Sequence, residues 1–127
     1  MRVLLATDRP ALRDALSLYL AEQGVEIVAV AVEASALPLR AGAADPDVVL
    51  VDWWSDGPAS AADLAAAITG LKRTAAAPPV VALSALRDCC RARAAGVDAC
   101  ATLGDPPHVL VAALEAARAS RRSFLDA

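Results

Sequence analysis

The 127-residue sequence predicts a three-layer α/β fold in which helices cover both faces of a five-stranded parallel sheet. Two observations predict it. Short β-type runs alternate with alanine- and leucine-rich helical segments, an order typical of a parallel sheet. The runs VVLV, at 48–51, and VVAL, at 80–83, are apolar at every position, which indicates strands that are buried on both sides. Right-handed crossovers then leave two common strand orders for five strands.

In the first half of the chain, β-branched runs alternate with segments whose apolar residues follow helical spacing. The first helix begins at Pro10, which suits a first turn, and Gly24 marks its end. The second helix is weaker, because Pro38 lies inside its pattern and is tolerated only in a first turn. The predicted strands are Arg2–Ala6, Val25–Val32 and Val48–Trp53, and the predicted helices are Pro10–Gln23 and Ala34–Ala43.

The second half continues the alternation. Ser60 is a suitable N-cap for the third helix, with Asp63 at capping-box distance, and Gly96 ends the short fourth helix. The predicted helices are Ser60–Thr74, Arg87–Ala95 and Pro106–Arg121, and the predicted strands are Pro79–Ser84 and Ala99–Leu103. We expect one domain over residues 1–122, followed by a short tail at Ser123–Ala127.

Charge and composition exclude several classes of function. The net charge is -3 and both signs are spread along the chain, so no basic face predicts nucleic-acid binding. The first apolar run is interrupted by Thr7 and Asp8, which predicts neither a signal peptide nor a membrane span. Three cysteines without a C-x-x-C pair indicate free thiols in a reducing compartment. We therefore expect a cytoplasmic domain.

Polar side chains are predicted to gather at one edge of the sheet. Ligands of open parallel sheets bind outside the carboxyl ends of the strands, where Asp8, Asp52 and Ser84 lie. In the strand order 2-1-3-4-5 the first and third strands are neighbours, which brings Asp8 beside Asp52. Two adjacent carboxylates suit a hard cation such as Mg²⁺, and a carboxylate can also accept a phosphoryl group. Taken alone, Asp8 could instead cap the first helix.

Four stretches carry a family resemblance. RVLLATDRPALRDALSLYL contains a strand, an acid and a helix; PDVVLVDWW a strand ending in Asp52; PPVVALSAL a strand ending in a hydroxyl; and GVDACATLGDP the last strand. In this order and spacing they resemble the receiver domain of two-component response regulators over nearly the whole chain. The resemblance implies the flavodoxin-like receiver fold, with strand order 2-1-3-4-5.

The resemblance also implies roles for individual residues. Asp52 takes the phosphoacceptor position, Asp8 and the backbone carbonyl of Trp54 are further metal ligands beside Asp52, and Ser84 is the switch hydroxyl. The implied partner is a sensor histidine kinase or another signalling protein, and the implied cofactor is weakly bound Mg²⁺. Such a domain is not an enzyme, beyond self-phosphorylation of Asp52 from a phosphodonor and autodephosphorylation.

The sequence departs from the family pattern at positions that matter for phosphorylation. Thr7 replaces the first of two adjacent acids, Leu103 the essential lysine, and Cys100 the switch aromatic. Leu103 cannot pair with a phosphoryl group, and one acid fewer weakens a site for hard cations. Either Asp52 is still phosphorylated weakly with Mg²⁺, or this is a degenerate receiver that acts as a docking or dimerising surface. We favour the degenerate receiver.

Two further expectations concern partners and an alternative function. Receivers of this kind usually dimerise or meet their targets through the fourth helix, fifth strand and fifth helix, which here would present Arg87, Arg91, Arg93 and Asp98. The alternative function is a flavodoxin-like module that binds a flavin or another small molecule at the same edge. No glycine-rich phosphate loop follows the first strand, which counts against that alternative.

Overall fold

The computed structural model describes residues 1–53, 61–74, 77–85, 89–102 and 104–126. Within these residues the strands form one parallel sheet in the order β2-β1-β3-β4-β5, which confirms the predicted fold class and topology. The elements are β1 Arg2–Ala6, α1 Pro10–Glu22, β2 Glu26–Ala31, a 3-10 turn Ala34–Ala36, α2 Leu37–Ala44, β3 Val48–Asp52, α3 Ala61–Lys72, β4 Val80–Ser84, α4 Cys89–Ala94, β5 Ala99–Thr102 and α5 Pro107–Asp126.

The sheet is covered on both faces. Every residue of β3 and of β4 is buried, as their uninterrupted apolar runs predict. Alternate residues of β3 point to opposite faces: Val49 and Val51 pack with apolar residues of α2, α3 and α4, whereas Val48 and Leu50 pack with those of α1 and α5. Two apolar layers therefore fix the register of the central strand and the position of Asp52 at its end.

Several element boundaries differ from the predicted ones. The second helix is divided, because the 3-10 turn precedes α2 and Pro38 then occupies the first turn of α2, where its missing N–H costs nothing. The third strand ends at Asp52, one residue earlier than predicted. Helix α5 continues to Asp126, so Ser123–Asp126, predicted as part of a tail, is helical. The predicted third and fourth helices begin at Ser60 and Arg87, which lie outside the described residues.

Glycines end two of the segments as predicted. Gly24, after α1, and Gly96, after α4, have φ values of 76° and 107°, a region that residues with a Cβ rarely adopt. Asp45 takes the same left-handed conformation after α2, with φ of 48°. None of the helices in the described part of the chain combines the length and the apolar character of a membrane-spanning segment.

Candidate functional site

The carboxylate of Asp52 lies at the end of the central strand and is held by an arginine. Arg9 donates from Nη2 to Oδ1 at 2.7 Å and from Nε to Oδ2 at 2.9 Å, which is a two-point ion pair. The Asp52 side chain is 1% exposed, and that of Arg9 is 31% exposed. The charge of a buried carboxylate is therefore compensated by the protein itself, from the loop between β1 and α1.

Thr7 completes this cluster. Its Oγ1 donates to Oδ2 of Asp52 at 2.8 Å and accepts the backbone N–H of Arg9 at 3.1 Å. The backbone N–H of Thr7 in turn donates to the carbonyl of Ala31, at the end of β2. One buried hydroxyl thus orients the carboxylate and fixes the backbone of the residue that pairs with it. We call Thr7, Arg9 and Asp52 the Asp52 cluster.

Asp8, the predicted metal ligand, lines a cavity whose described lining does not include Asp52. This cavity has a volume of about 890 Å³ and is also lined by residues that follow β2, by Pro38 of α2 and by residues of α3, among them Glu33 and Asp63. Among the described residues, the hydrogen bonds to Asp52 come from Arg9 and Thr7. The structure thus joins Asp52 to Thr7 and to Arg9, a residue that the sequence interpretation did not single out.

The donor set fits Mg²⁺ poorly. Mg²⁺ requires oxygen ligands in near-octahedral geometry, but both carboxylate oxygens of Asp52 already accept hydrogen bonds from cationic or hydroxyl donors. An ion bound there would lie beside a guanidinium that carries the same sign of charge. Trp54, predicted to supply a backbone carbonyl, lies outside the described residues. Metal binding by Asp8 and Asp52 stays a prediction.

The predicted switch hydroxyl, Ser84, has a sulfur neighbour. Ser84 is fully buried at the end of β4, and its Oγ lies 3.0 Å from Sγ of Cys100 on β5, within hydrogen-bonding distance. Burial raises the pKa of the Cys100 thiol, and a contact with the Cys89 thiol acts in the same direction. The hydrogen bond to Ser84 and the charge of Arg93 lower the pKa of Cys100 in part. The hydroxyl therefore meets a protonated thiol, from the cysteine that takes the position of the family's switch aromatic.

Other predicted site positions are less well defined. Leu103, which takes the position of the family's lysine, lies outside the described residues. Trp53 packs in the core with residues of α3, and its indole N–H has no hydrogen-bond partner among the described residues. Lys72 does not approach the Asp52 cluster; it pairs with Asp98, just before β5. Arg91 and Arg93 of α4 are exposed.

Several solved structures of other proteins superpose on this chain. The receiver domain of RstA from Klebsiella pneumoniae, in a BeF3-activated form, superposes with a TM-score of 0.74 at 20% identity, over 93% of this chain and 98% of that one. A LuxR-family two-component response regulator from Aurantimonas gives a TM-score of 0.76 at 23% identity, over 94% and 86%. This chain has the receiver fold. No protein-family model matches its sequence, and no curated protein matches it significantly.

A larger regulator carries the same receiver fold as one part of its chain. NtrX from Brucella abortus superposes with a TM-score of 0.81 at 22% identity, over 98% of this chain but 28% of NtrX. In the receiver fold, the Asp52 cluster lies at the carboxyl edge of the sheet, where ligands of open parallel sheets bind. At these identities the similarity establishes the fold, and function has to come from the residues at that edge.

The residue that the sequence interpretation missed was Arg9. A weak signal was present: in TDRP a cation follows the strand-end acid directly, and the first acid is replaced by a hydroxyl. A buried carboxylate at the end of an apolar strand requires a partner, and in this chain the Arg9 side chain is such a partner.

Proposed function

We propose that this chain is a degenerate two-component receiver, which signals through protein–protein contacts and does not depend on phosphorylation of Asp52. The observation that carries the proposal is the two-point ion pair between Arg9 and Asp52. A phosphoacceptor carboxylate must present a free oxygen to phosphorus, and a metal must neutralise the incoming phosphoryl oxygens. In this site the oxygens accept hydrogen bonds from Arg9 and Thr7 instead.

The Asp52 cluster supports this proposal in a second way. Arg9 supplies one positive charge to the site without any ion, so the folded domain needs no Mg²⁺ to compensate Asp52. Because the pair joins the start of α1 to the end of β3, it also stabilises the edge at which receivers respond to phosphorylation. We infer that the edge stays in one conformation.

The contact surface is proposed to be the face formed by α4, β5 and α5. Arg91 and Arg93 are exposed on α4, and the carboxylate of Asp98 lies beside β5, so the surface offers charged groups of both signs. A sensor histidine kinase, another signalling protein, or a second copy of the chain would fit such a surface. Charged groups of this kind contribute mainly to the rate and specificity of association.

Phosphorylation of the purified protein tests the proposal directly. The protein is incubated with Mg²⁺ and acetyl phosphate, or with beryllofluoride, and the intact mass is measured beside the Asp52→Asn variant. We expect no phosphoryl adduct on the wild-type protein. Stoichiometric phosphorylation that Asp52→Asn abolishes would show that the site is a working phosphoacceptor, and the proposal would be wrong.

A matched variant shows whether Arg9 is the cause. Arg9→Ala removes the guanidinium and leaves Thr7 and Asp52 in place, so a phosphoryl adduct should form faster on this variant than on the wild-type protein. Arg13 lies in the first turn of α1 and pairs with Asp14 on the surface, so Arg13→Ala is the control and should behave as wild type. If the phosphoryl adduct formed at the same rate on Arg9→Ala and on Arg13→Ala, residues other than Arg9 would be responsible for preventing phosphorylation.

A further inference from the structure

The cavity of about 890 Å³ at the carboxyl edge of the sheet has an apolar lining that the Asp52 cluster does not use. Val32 follows β2 directly, Pro38 belongs to α2, and Ala66 and Ala67 belong to α3. Because the side chains of the two alanines are short, they leave room beside α3 for side chains from outside the domain. This lining resembles that of a groove that receives apolar groups.

Three carboxylates line the same cavity. Asp8 comes from the loop between β1 and α1, Glu33 from the segment after β2, and Asp63 from the first turn of α3. Glu33 and Asp63 are exposed and Asp8 is half-buried. No lysine or arginine is among the described residues that line the cavity. We call this cavity, with its apolar lining and its three acids, the acidic groove.

The spacing of the acids bears on the kind of cation that suits them. Within the described residues, no three acidic, histidine or cysteine side chains are grouped closely enough to hold one metal ion. The negative charges of the acidic groove are therefore spread over several elements, which suits a partner that carries separated positive charges. Nucleic acids and anionic lipid surfaces carry the same sign of charge as the groove and would be repelled.

Apolar surface continues beside the acidic groove. Val32 is 56% exposed, and Leu39, which follows Pro38 in α2, is 79% exposed. Among the described residues these are two of the three large hydrophobic side chains that are exposed, and the third is Leu18 on α1. Exposed apolar side chains that adjoin a groove are a common feature of protein-binding sites. The occupant should therefore carry apolar groups as well as positive charges.

We propose that the acidic groove is the docking site for a basic amphipathic segment of a partner protein. Lysine or arginine side chains of the segment pair with the three acids, and its apolar side chains cover Val32 and Pro38, a recurring mode of peptide recognition. The acids direct the approach and orientation of the segment, whereas burial of apolar surface supplies most of the affinity. The inference goes beyond the proposed function, because the groove lies outside the face formed by α4, β5 and α5.

The experiment uses the full chain and a fluorescently labelled synthetic peptide in which leucine and lysine recur at helical spacing. Fluorescence anisotropy measures the dissociation constant at low and at physiological salt. We expect saturable binding, and binding about tenfold weaker for a matched peptide with serine at each leucine position. The proposal is wrong if the leucine–lysine peptide does not bind, or if the two peptides bind equally.

Matched variants locate the binding site. Glu33→Gln should weaken binding of the leucine–lysine peptide about threefold, and Val32→Ser about fivefold. The controls are Glu115→Gln on α5 and Leu18→Ser on α1, two exposed positions on helices that cover the other face of the sheet. Both controls should bind as wild type. Equal weakening within either matched pair would mean that the peptide does not bind in the groove, and would overturn the proposal.

Two other occupants are distinguished in the same assay. Spermidine carries separated positive charges without apolar side chains, so it should compete weakly; displacement of the peptide at equal concentration would assign the groove to small polyamines instead. Self-association that Val32→Ser abolishes and Leu18→Ser leaves intact would assign it to a second copy of the chain. Asp52→Asn should bind the peptide as wild type, so this test is independent of the phosphorylation test. Thermal unfolding verifies that each variant is folded.

Discussion

Arg9 and Asp52 face each other across the carboxyl edge of the sheet, joined by two hydrogen bonds of 2.7 and 2.9 Å. The acid belongs to the central strand, and the guanidinium belongs to the residue just before α1. In the function proposed above, this ion pair provides a fixed charge in place of an exchangeable ion. Such a domain would not respond to a metal and a phosphoryl group together, and it would use this edge for contact with other proteins.

Removal of the cation should destabilise the fold. Arg9→Ala leaves a carboxylate that is 1% exposed without its ion pair, and we expect a loss of about 2 to 3 kcal/mol in the free energy of unfolding. This expected loss is smaller than the loss for a fully buried ion pair, because water reaches part of the Arg9 side chain. Urea denaturation at neutral pH measures the difference. Arg9→Lys should recover only part of it, because an ammonium cannot make the two-point contact.

A double-mutant cycle separates the pair from the rest of the site. Asp52→Asn removes the charge and should lower the cost of Arg9→Ala, so the combined loss should be smaller than the sum of the single losses. Simple additivity would mean that the two side chains do not interact in solution. The slope of free energy against urea concentration should stay constant across the cycle, since the exposed area does not change.

Thr7 should stabilise the fold through the hydrogen bonds of its hydroxyl rather than through the shape of its side chain. Thr7→Val keeps the β-branched form but removes the donor to Asp52 and the acceptor for the Arg9 N–H, and we expect a loss of about 1 to 3 kcal/mol. Thr7→Ser retains the hydroxyl and should cost clearly less. The measurement is again the free energy of unfolding in urea. A larger loss for Thr7→Ser than for Thr7→Val would instead assign the role of Thr7 to its methyl group.

The fold could be predicted from the sequence because local and global signals agree. Alternation of element types fixed the fold class, and the uninterrupted apolar runs identified β3 and β4 as buried central strands. The boundaries of α2 were harder, because Pro38 is compatible with several starting points and a 3-10 turn is not distinguished by periodicity. The end of α5 was hard to predict because most of the residues near it are polar and give little apolar periodicity.

The candidate site could be predicted only in part. Asp52 was singled out because a carboxylate that ends an apolar strand needs a partner, and Ser84 because it ends a neighbouring strand at the same edge. The partner of Asp52 could not be found in this way, because Arg9 lies in a loop and its side-chain direction depends on the Thr7 hydroxyl that accepts its N–H. The contact between Ser84 and Cys100 depends on the register of β4 with β5, which pairs Ser84 with Thr102 and Ala82 with Cys100.

At the opposite edge of the sheet, one carboxylate serves two partners, and they should contribute unequally. Asp98 Oδ2 accepts the backbone N–H of the buried Val80 at 2.7 Å and also pairs with the partly exposed Lys72. Lys72→Met should cost about 0.5 kcal/mol, the usual size for an exposed pair. Asp98→Ala should cost about 1 to 2 kcal/mol more, since it leaves a buried N–H without an acceptor.

The conservative variant separates the two contributions of Asp98. Asp98→Asn removes the charge but keeps an oxygen that can accept from Val80, so its cost should resemble that of Lys72→Met. The free energy of unfolding is measured at low and at high salt. Salt should reduce the effect of Lys72→Met and leave most of the effect of Asp98→Ala. If salt changed neither the cost of Lys72→Met nor that of Asp98→Ala, this division between the ion pair and the hydrogen bond would be wrong.

The last prediction concerns the stability of the reduced protein at alkaline pH. Burial raises the pKa of the Cys100 thiol, and contact with Cys89 adds to the effect, so the folded state holds this proton more tightly than the unfolded chain does. The stability contributed by the protonated thiol is therefore fully present below the pKa of an unfolded cysteine, about 8.5, and is lost as the pH rises through the folded pKa.

Urea denaturation in the presence of a reductant, from about pH 7 to about pH 10, measures this loss. The free energy of unfolding should fall with pH more steeply for the wild-type protein than for Cys100→Ala, whatever the offset caused by the smaller side chain. Cys90→Ser, at an exposed position, should keep the wild-type slope. Parallel curves for the wild-type protein and Cys100→Ala would mean that the thiol titrates alike in both states, and that water reaches Cys100 in the folded protein.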